Sequence, residues 1–278
     1  MSNEYLAPFY AKLEADIERI ESFTLIEYPV YILSRGRAAT ITTSRLFDDA
    51  GVPYLIVVEP QEHAAYLEHH DAGNLLVMDK NDEGIAYVRN YIRDHAQAAG
   101  FLYFWQFDDD LRPFGVRRGG KRYKLSARNA LAFVEYVVDH FDNIGGANFS
   151  HHAFAFTYDH KPVIQLNNQI YGAMLIRSGT RTRFRKDINE DTDHSLQLLR
   201  EGWVTFVFKR VVMDTVATMS NSGGNTDNEY AAGRREARVR ALCAAWPSAK
   251  FRAVNRNGRW TMTPSRIWGK FEQRPYFK

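Results

Sequence analysis

The sequence of 278 residues contains a single cysteine, Cys243. One cysteine cannot form a disulfide within the chain or a cysteine-based zinc site, and it suits a reducing compartment. No apolar run approaches the roughly 18 residues that are needed to span a bilayer. The segment from Met1 to Ser22 also lacks the apolar core of a signal peptide. Together, these absences predict a soluble cytoplasmic protein.

Two phosphate-binding signatures are absent from the first 110 residues. These are the G-x-G-x-x-G of dinucleotide-binding folds and the G-x-x-x-x-G-K-[ST] of P-loop enzymes, so both classes are disfavoured. We also find no internal repeat, low-complexity tract or clear linker. With 45% hydrophobic residues, the chain can form a substantial core, and one domain over residues 1–278 is the simplest organisation.

Strands and helices alternate over roughly the first 110 residues. This alternation predicts a mostly parallel, doubly wound α/β sheet in residues 1–110. The predicted strands are Tyr28–Leu33, Tyr54–Glu59, Leu75–Met78 and Phe101–Asp110, and the predicted helices are Leu6–Ile20, Thr42–Ala50, Gln61–His69 and Asp82–Ala99.

The last of these strands ends in three acids, at the edge where open α/β sheets bind ligands. Asp108 and Asp110 are two residues apart, so on an extended backbone their side chains share one face. Two such carboxylates repel each other unless a cation lies near them, and oxygen ligands suit Mg²⁺ or Mn²⁺. A strand end followed by a solvated, Asp-rich turn is the alternative interpretation.

Basic residues dominate the remainder of the chain. Residues 1–100 contain 8 Lys and Arg against 16 Asp and Glu, which leaves 28 and 17 of the totals of 36 and 33 for the rest. This distribution predicts a positive surface for a polyanion or for ligand phosphates, with ordinary solvated surface as the alternative.

Residues 111–278 predict a mixed α+β half with a basic C-terminal extension. The predicted features are a basic loop or hairpin at Arg112–Arg128, a helix at Ala127–Phe141, a Gly-rich loop at Asn143–His152, strands at Val163–Leu166, Ala173–Ile176 and Trp203–Phe208, a lid at Met219–Tyr230, and a basic helix containing Arg234, Arg235, Arg238 and Arg240. The tail from Lys250 to Lys278 interleaves basic and aromatic residues, which suits either nucleic-acid contact or packing on the core.

A second acidic group, Glu190, Asp191 and Asp193, precedes a predicted helix. The helix dipole stabilises carboxylates at this position and can keep one of them ionised as a general base. The alternative is a helix cap, which explains one of the acids well but not all three. His194 beside them is a rival metal or phosphate ligand, and a direct role for His151 or His152 competes with a structural one.

The order of these motifs resembles that of the GT-A glycosyltransferases. The resemblance implies that Asp108 and Asp110 hold a divalent metal on the diphosphate of a nucleotide sugar, with Asp109 nearer the ribose or the sugar. It also matches Glu190-Asp191 to the motif that carries the catalytic base, for which we favour Asp191. The remaining donor-binding residues expected here are Ser34, Arg35, Gly36, Arg37, Glu59, Arg89 and Asn90.

Three stretches more narrowly resemble the bacteriophage TET/JBP-associated glycosyltransferases. They are Phe-Trp-Gln-Phe-Asp-Asp-Asp at 104–110, Ile-Gly-Gly-Ala-Asn-Phe-Ser at 144–150 and Asn-Glu-Asp-Thr-Asp-His at 189–194. The resemblance implies transfer of a sugar from a nucleotide sugar, with a UDP-sugar expected, to 5-hydroxymethylcytosine or a related base in double-stranded DNA, in the host cytoplasm. The expected acceptor contacts are Arg117, Arg118, Lys121, Arg122, Gly146, His151, His152, Arg181 and Arg183.

Three other functions remain open from the sequence. A nucleotidyltransferase would use a similar pair of acids but would turn over a nucleoside triphosphate. A non-enzymatic DNA-binding module explains the basic surface but not the spacing of the acids. A glycosyltransferase acting on a glycan or a protein would share the donor site but would not bind DNA.

Overall fold

A computed structural model describes residues 6–152, 162–215, 234–256, 258–263 and 265–278. Its α-helices are α1 (Ala7–Glu18), α2 (Thr42–Ala50), α3 (His63–Leu67), α4 (Ile85–Ala98), α5 (Ala127–Val138), α6 (Glu190–Arg200) and α7 (Arg234–Ala245). Its strands are β1 (Val30–Leu33), β2 (Leu55–Val58), β3 (Leu75–Val77), β4 (Tyr103–Asp108), β5 (Leu111–Arg118), β6 (Lys121–Lys124), β7 (Ile144–His151), β8 (Ile164–Leu166), β9 (Ala173–Arg177), β10 (Val204–Thr215), β11 (Ala253–Arg256) and β12 (Arg259–Met262).

The first four strands form a parallel sheet in the order β3-β2-β1-β4. Their apolar runs are buried because helices cover both faces of the sheet, as parallel sheets require. Helices α1, α2 and α5 contribute to the core on one face, and α4 and α6 to the core on the other. The doubly wound α/β fold predicted from the alternating pattern is confirmed.

The same sheet continues as a mixed one in the order β9-β7-β10-β5-β6. Strand β9 is antiparallel to both β4 and β7, and β10 is parallel to β7. Strands β7 and β10 therefore run in the direction of β4, and they end at the same edge of the sheet. Strands β5 and β9 begin at that edge, because they run the other way.

Most of the segment Asn143–His152 is a strand, β7 (Ile144–His151), and the prediction of a Gly-rich loop was wrong. Glycine is required at positions 145 and 146 by close packing against neighbouring side chains, and not by a turn. A Cβ atom on Gly145 would lie 2.7 Å from the Trp203 Cβ, and one on Gly146 would lie 2.5 Å from the Ile170 Cδ1. Glycine permits these close approaches at a cost in β propensity, which misled the sequence-based assignment.

The C-terminal segment packs on the rest of the chain. Trp246, Phe251 and Ile267 form a third apolar cluster with Ile188 and Leu196 near and within α6. At the end of the tail, the Phe277 ring stacks on Phe141, with 4.8 Å between ring centroids. Of the two alternatives left open for the tail, Phe251 and Phe277 adopt packing on the core.

The predicted lid at Met219–Tyr230 lies outside the described residues. Among the described helices, none is long and apolar enough to cross a membrane.

Candidate active site at the carboxyl edge of the sheet

The carboxyl ends of β1 and β4 lie side by side at the point where the strand order reverses. In open α/β sheets this point is where ligands bind. Ser34 follows β1, and its hydroxyl donates a 2.8 Å hydrogen bond to Oδ2 of Asp109, which follows β4. The Nη1 atom of Arg37 lies 2.5 Å from the other carboxylate oxygen of Asp109. Asp109 therefore joins the two strand ends.

The backbone of the acidic turn is fixed by the first turn of α2. The backbone N–H groups of Thr42 and Thr43 donate to the Asp109 carbonyl at 3.0 and 3.3 Å. The Thr43 hydroxyl donates to the Asp108 carbonyl at 2.7 Å and accepts from the Leu111 N–H at 3.0 Å. These bonds satisfy backbone groups that a helix terminus leaves free, and they hold the acids in one arrangement.

Asp108 and Asp109 point in different directions from this turn. The Nη2 atom of Arg89 lies 3.2 Å from Asp108 Oδ1, and Nη1 of the same residue donates to Gln106 Oε1 at 3.1 Å. The Asp108 side chain is 41% exposed, whereas Arg89 is buried beneath it at 4%. One carboxylate oxygen of Asp108 thus pairs with a buried cation, and the side chain opens to solvent.

Asp110 completes a concentration of negative charge. Its side chain is 23% exposed, and its Oδ2 lies 3.7 Å from Arg37 Nη1. Burial, followed by repulsion from Asp108 and Asp109, raises the pKa of Asp110 to about 6. Three carboxylates here face two guanidinium groups, those of Arg37 and Arg89.

This excess of acidic oxygen fits a divalent cation such as Mg²⁺ or Mn²⁺. Among the described residues, no three His, Cys, Asp or Glu side chains form a ready metal cluster. Asp108 and Asp110 would therefore share the cation with oxygen atoms of the ligand and with water, as Mg²⁺ sites commonly do.

The second acidic motif lies at the N-terminus of α6, close to the first. Arg89 links the two motifs, because its Nη2 lies 3.2 Å from Asp108 Oδ1 and its Nε lies 3.8 Å from Oε1 of Glu190, the residue before Asp191. The pKa of Asp108 is raised, chiefly by desolvation of its inner oxygen and less strongly by the charges of Asp109 and Asp191, against the opposing effect of Arg89. Asp191 Oδ2 accepts a 3.2 Å bond from Gln169 Nε2, and Oδ1 accepts one of 2.6 Å from the Thr192 N–H. These bonds orient the Asp191 carboxylate.

Glu190 lies between two guanidinium groups. Its Oε2 is 2.5 Å from Nη2 of Arg238, and its Oε1 is 3.8 Å from Nε of Arg89. Burial and the neighbouring charge of Asp191 raise the pKa of Glu190 to about 7, against the opposing effect of Arg238 and Arg89. The two acidic motifs are thus connected through Arg89.

The predicted donor-binding residues around β2 bond chiefly to one another. Glu59 is buried, and its Oε1 lies 3.4 Å from Arg35 Nη1. Glu59 also accepts bonds from the Asp82 N–H at 3.1 Å and from Gln61 Nε2 at 2.6 Å. The Gly36 N–H, in a turn with φ of +64°, donates to Glu62 Oε1 at 2.8 Å. The group adjoins Ser34 at the carboxyl end of β1.

Asn90, Asp193 and His194 lie in the packing around the site. Asn90 bonds both backbone groups of Phe184, at 2.8 and 3.0 Å. Asp193 is fully buried and accepts bonds from Arg185, Gln197 and Trp246.

His194 is also fully buried. Its Nε2 lies 3.0 Å from the Thr182 hydroxyl, and its ring stacks on Phe184 at 4.1 Å. Burial, followed by the charge of Arg93, lowers the pKa of His194 to about 3. The imidazole is therefore neutral in the folded protein at neutral pH.

Of the predicted acceptor residues, the structure brings His151 and Arg122 to the edge that carries Asp108. His151 ends β7, and its Nδ1 lies 3.4 Å from Oδ1 of Asp214 on β10. Arg122 reaches back along β5 to the same Asp214, at 3.5 Å. The His151 ring lies parallel to Tyr171, with an interplanar angle of 10° and 6.4 Å between centroids. His152, the next residue, is partly buried.

The other predicted acceptor residues lie away from this edge. Gly146 is five residues before His151, about 16 Å along an extended strand. Arg117 and Arg118 stand at the far end of β5, where Arg118 bonds the Ile17 carbonyl at 2.9 Å. Arg183 pairs with Asp94 at 2.6 Å, about 7 Å further along α4 than Arg89. Lys121 and Arg181 are exposed.

Sequence reasoning missed three residues of the cleft: Tyr171, Asp214 and Arg238. Tyr171 precedes Gly172, which has a φ of +72° and whose added Cβ would meet Met213 Cε at 3.0 Å and Asp108 Oδ2 at 3.9 Å. A Tyr-Gly pair just before a strand was the one available signal. Arg238 carries no such signal, because its partner lies on a distant helix.

The chain is an α/β protein whose candidate ligand site lies at the switch point of the sheet. A family model described as TET-Associated Glycosyltransferase matches residues 28–224, well over half of the chain. The chain belongs to this family and is therefore a glycosyltransferase. Membership implies, in general terms, a nucleotide-sugar donor and a DNA base as acceptor.

Comparisons with individual proteins add no functional information beyond the family. Among solved structures, the inositol-1-phosphate CTP transferase from T. maritima is similar, with a TM-score of 0.40 and 13% identity over 72% of this chain and 94% of that one. No curated protein matches the chain significantly.

Proposed function

We propose that the protein transfers a sugar from a nucleotide sugar, a UDP-sugar in the first instance, to the hydroxyl of 5-hydroxymethylcytosine or a related 5-hydroxymethylpyrimidine in DNA. The observation that carries the proposal is the meeting of two acidic motifs at one guanidinium. Arg89 lies 3.2 Å from Asp108, two residues before Asp110, and 3.8 Å from Glu190, the residue before Asp191. The first pair suits a nucleoside diphosphate with its cation, and the second motif suits proton removal from an acceptor hydroxyl.

Asp108 and Asp110 would hold Mg²⁺ or Mn²⁺, which offsets the negative charge that develops on a departing nucleoside diphosphate. Arg37 and Arg89 add fixed positive charge to the same wall of the cleft. The turn that follows Ser34 would contact the nucleoside at the switch point. Because α2 holds the acidic turn through its backbone, these charges are already in position before the reaction.

Asp191 is the proposed general base. Its Oδ2 would take the proton of the acceptor hydroxyl while that oxygen forms a bond to the anomeric carbon. The bond between this carbon and the diphosphate oxygen breaks with its electron pair, and the nucleoside diphosphate leaves. Gln169, which donates to the same Oδ2 at 3.2 Å, orients the carboxylate. Inversion at the anomeric carbon follows from this single displacement.

A base in duplex DNA must leave the stack before its hydroxyl can reach Asp191, and unstacking costs a few kcal/mol. Tyr171 and His151 present parallel rings on the acceptor side of the cleft. Stacking of the extruded base on this surface, which we assign chiefly to Tyr171, would recover part of that cost. Arg122, next to Asp214 on the adjoining hairpin, would supply positive charge for the DNA backbone.

The test uses the purified protein with Mn²⁺ or Mg²⁺, a panel of nucleotide sugars and DNA that contains 5-hydroxymethylcytosine. Nucleosides are analysed by mass spectrometry. We expect a mass gain of one hexose or N-acetylhexosamine that is lost in Asp108→Ala and Asp191→Asn and kept in Asp49→Asn, an exposed acid on α2. Release of nucleoside diphosphate without any gain on DNA would point to a glycan or protein acceptor. Turnover of a nucleoside triphosphate instead of a nucleotide sugar would overturn the proposal.

A further inference from the structure

Helix α7 lies beyond residues 28–224, the segment matched by the family, but it packs directly on α6. Leu242 and Trp246 share an apolar cluster with Leu196 of α6. The Trp246 indole Nε1 donates to Asp193 Oδ1 at 2.7 Å, one turn into α6. The basic helix that sequence reasoning assigned to an extension is therefore anchored beside the second acidic motif.

Arg238 is the residue of α7 that reaches this motif. Its Nε donates to the Ile188 carbonyl at 2.9 Å, just before α6, and its Nη2 lies 2.5 Å from Glu190 Oε2, at the first residue of α6. The Arg238 side chain is 17% exposed and that of Glu190 is 12% exposed. Two bonds from one partly buried guanidinium fix the backbone that enters α6 and the first carboxylate on it.

The contact is continuous with the donor side of the cleft. Glu190 Oε1 faces Arg89 Nε at 3.8 Å, and Arg89 bonds Asp108 at 3.2 Å. Glu190 thus stands between a guanidinium from α4 and one from α7. A second carboxylate, that of Asp191, adjoins it on α6. Among the described residues, the charges with the largest effect on Glu190 are those of Asp191 on its own helix, Arg238 on α7 and Arg89 on α4.

We propose that Arg238 is a positioning residue for the Glu190–Asp191 pair, so that α7 is part of the catalytic unit rather than a separate DNA-binding extension. As far as Asp191 is the base, the proposal rests on the function proposed above. The contact between Arg238 and Glu190 can be tested without it. A guanidinium is suited to this task because its planar fork engages a carbonyl and a carboxylate at once, which an ammonium does less well.

Removal of Arg238 should change the pKa of Glu190, and with it the pH dependence of stability, in a defined direction. Burial and Asp191 already raise the pKa of Glu190 to about 7, and Arg238 opposes them. Without Arg238 the pKa of Glu190 rises further, so that Glu190 stays protonated to a higher pH and its pairing with Arg89 is weakened there. At pH 5.5 Glu190 is largely protonated in either protein. The loss caused by the substitution is therefore larger at pH 8 than at pH 5.5.

The experiment compares Arg238→Gln with Arg240→Gln, a matched control two residues along α7, where Arg240 is exposed and pairs with Glu236. The first measurement is Tm between pH 5.5 and 8.5, in the native and Glu190→Gln backgrounds. We expect Arg238→Gln to lower Tm more at high pH, and this pH dependence to vanish with Glu190→Gln. Arg238→Lys, the conservative change, should restore part of the Tm and serves if Arg238→Gln does not fold.

The second measurement is kcat/KM for sugar transfer against pH. Glu190 must be ionised to pair with Arg89 beside Asp191, so its titration contributes to the acid limb. That limb should move upward by about one pH unit in Arg238→Gln and stay in place in Arg240→Gln, since an opposite charge at this distance commonly shifts a carboxyl pKa by that amount or more. If Arg238→Gln and Arg240→Gln give the same Tm profiles and the same pH profiles, the inference is overturned. If the Tm coupling is present but no sugar is transferred to any acceptor, the proposed function fails and the positioning contact stands.

Discussion

The carboxylates of Asp108 and Glu190 flank one guanidinium, that of Arg89. Arg89 Nη2 lies 3.2 Å from Asp108 Oδ1, and its Nε lies 3.8 Å from Glu190 Oε1. Arg89 is buried within α4, so its position is set by packing and by its bond to Gln106. Arg89 belongs to neither acidic motif. It therefore fixes the position of the acids at the end of β4 relative to the acids at the start of α6.

Substitution of this residue by lysine is the first test of that arrangement. Lysine keeps the charge but lacks the fork that spans two carboxylates, so Arg89→Lys should lower kcat for sugar transfer by about 100-fold, as loss of one preorganised charged donor often does. Steady-state kinetics at fixed donor and acceptor would measure the effect. Arg45→Lys, at an exposed position on α2, is the control. Equal rates for the two variants would refute the bridging role of Arg89.

Metal dependence has a readout independent of turnover. In the presence of a nucleoside diphosphate, Mn²⁺ should raise Tm, because a ligand at 100 times its Kd stabilises the folded state by about 2.7 kcal/mol. Asp110→Asn should remove most of this shift, and Asp49→Asn should leave it intact. Calorimetric melting with and without EDTA provides the comparison. A shift that survives Asp110→Asn would place the cation elsewhere.

Tyr171 is predicted to act on the acceptor and not on the donor. Loss of base–aromatic stacking costs about 1–3 kcal/mol, so Tyr171→Ala should raise the KM for DNA roughly 5- to 150-fold, while Tyr171→Phe changes it little. Hydrolysis of the nucleotide sugar in the absence of DNA serves as the internal control and should be unaffected. A parallel loss of donor hydrolysis in Tyr171→Ala would show that the ring supports the site generally.

Sequence patterns predicted the parts of the fold that depend on local signals. The apolar runs that became β1, β2 and β4 and the periodic segments that became α1, α2 and α4 lie within a few residues of their expected bounds. The parallel pairing of β1 with β4, which the alternating pattern does not specify, then brings their ends together. The meeting of Ser34 with the acids after β4 follows from topology alone.

Contacts between segments that are distant along the chain could not be predicted from sequence patterns. Glycine at 145 and 146 suggested a loop, because the tight packing that requires it depends on Trp203 and Ile170. The reach of Arg238 to Glu190 depends on how α7 docks, which no local pattern encodes. The burial of His194 beneath Phe184 likewise depends on the route of the segment between β9 and α6.

The packing role of Gly146 gives a stability prediction. A Cβ at this position would lie 2.5 Å from Ile170 Cδ1 and 3.2 Å from the Leu175 carbonyl oxygen. Gly146→Ala should therefore lower the free energy of unfolding by about 1–3 kcal/mol, the usual cost of overpacking. Gly179→Ala is the control, since nothing lies within 4 Å of its added Cβ. Denaturant titration measures both. A drop in DNA binding by folded Gly146→Ala, with stability unchanged, would favour an acceptor role instead.

His194 supplies a pH test of whether it is a buried structural residue or a metal ligand. Burial lowers its pKa from 6.5 to about 3 in the folded protein, so between these values the unfolded chain binds more protons. The stability that this residue contributes is fully present above about pH 6.5 and is lost progressively as the pH falls toward 3.

His194→Gln, which keeps a group able to bond Thr182, should remove that loss. From pH 6.5 to 5, unfolding free energy from urea titrations should fall more steeply in the native protein than in His194→Gln, by up to about 1.4 kcal/mol per pH unit. Equal slopes, together with a weaker Mn²⁺-dependent rise in Tm for His194→Gln, would instead identify His194 as a metal ligand.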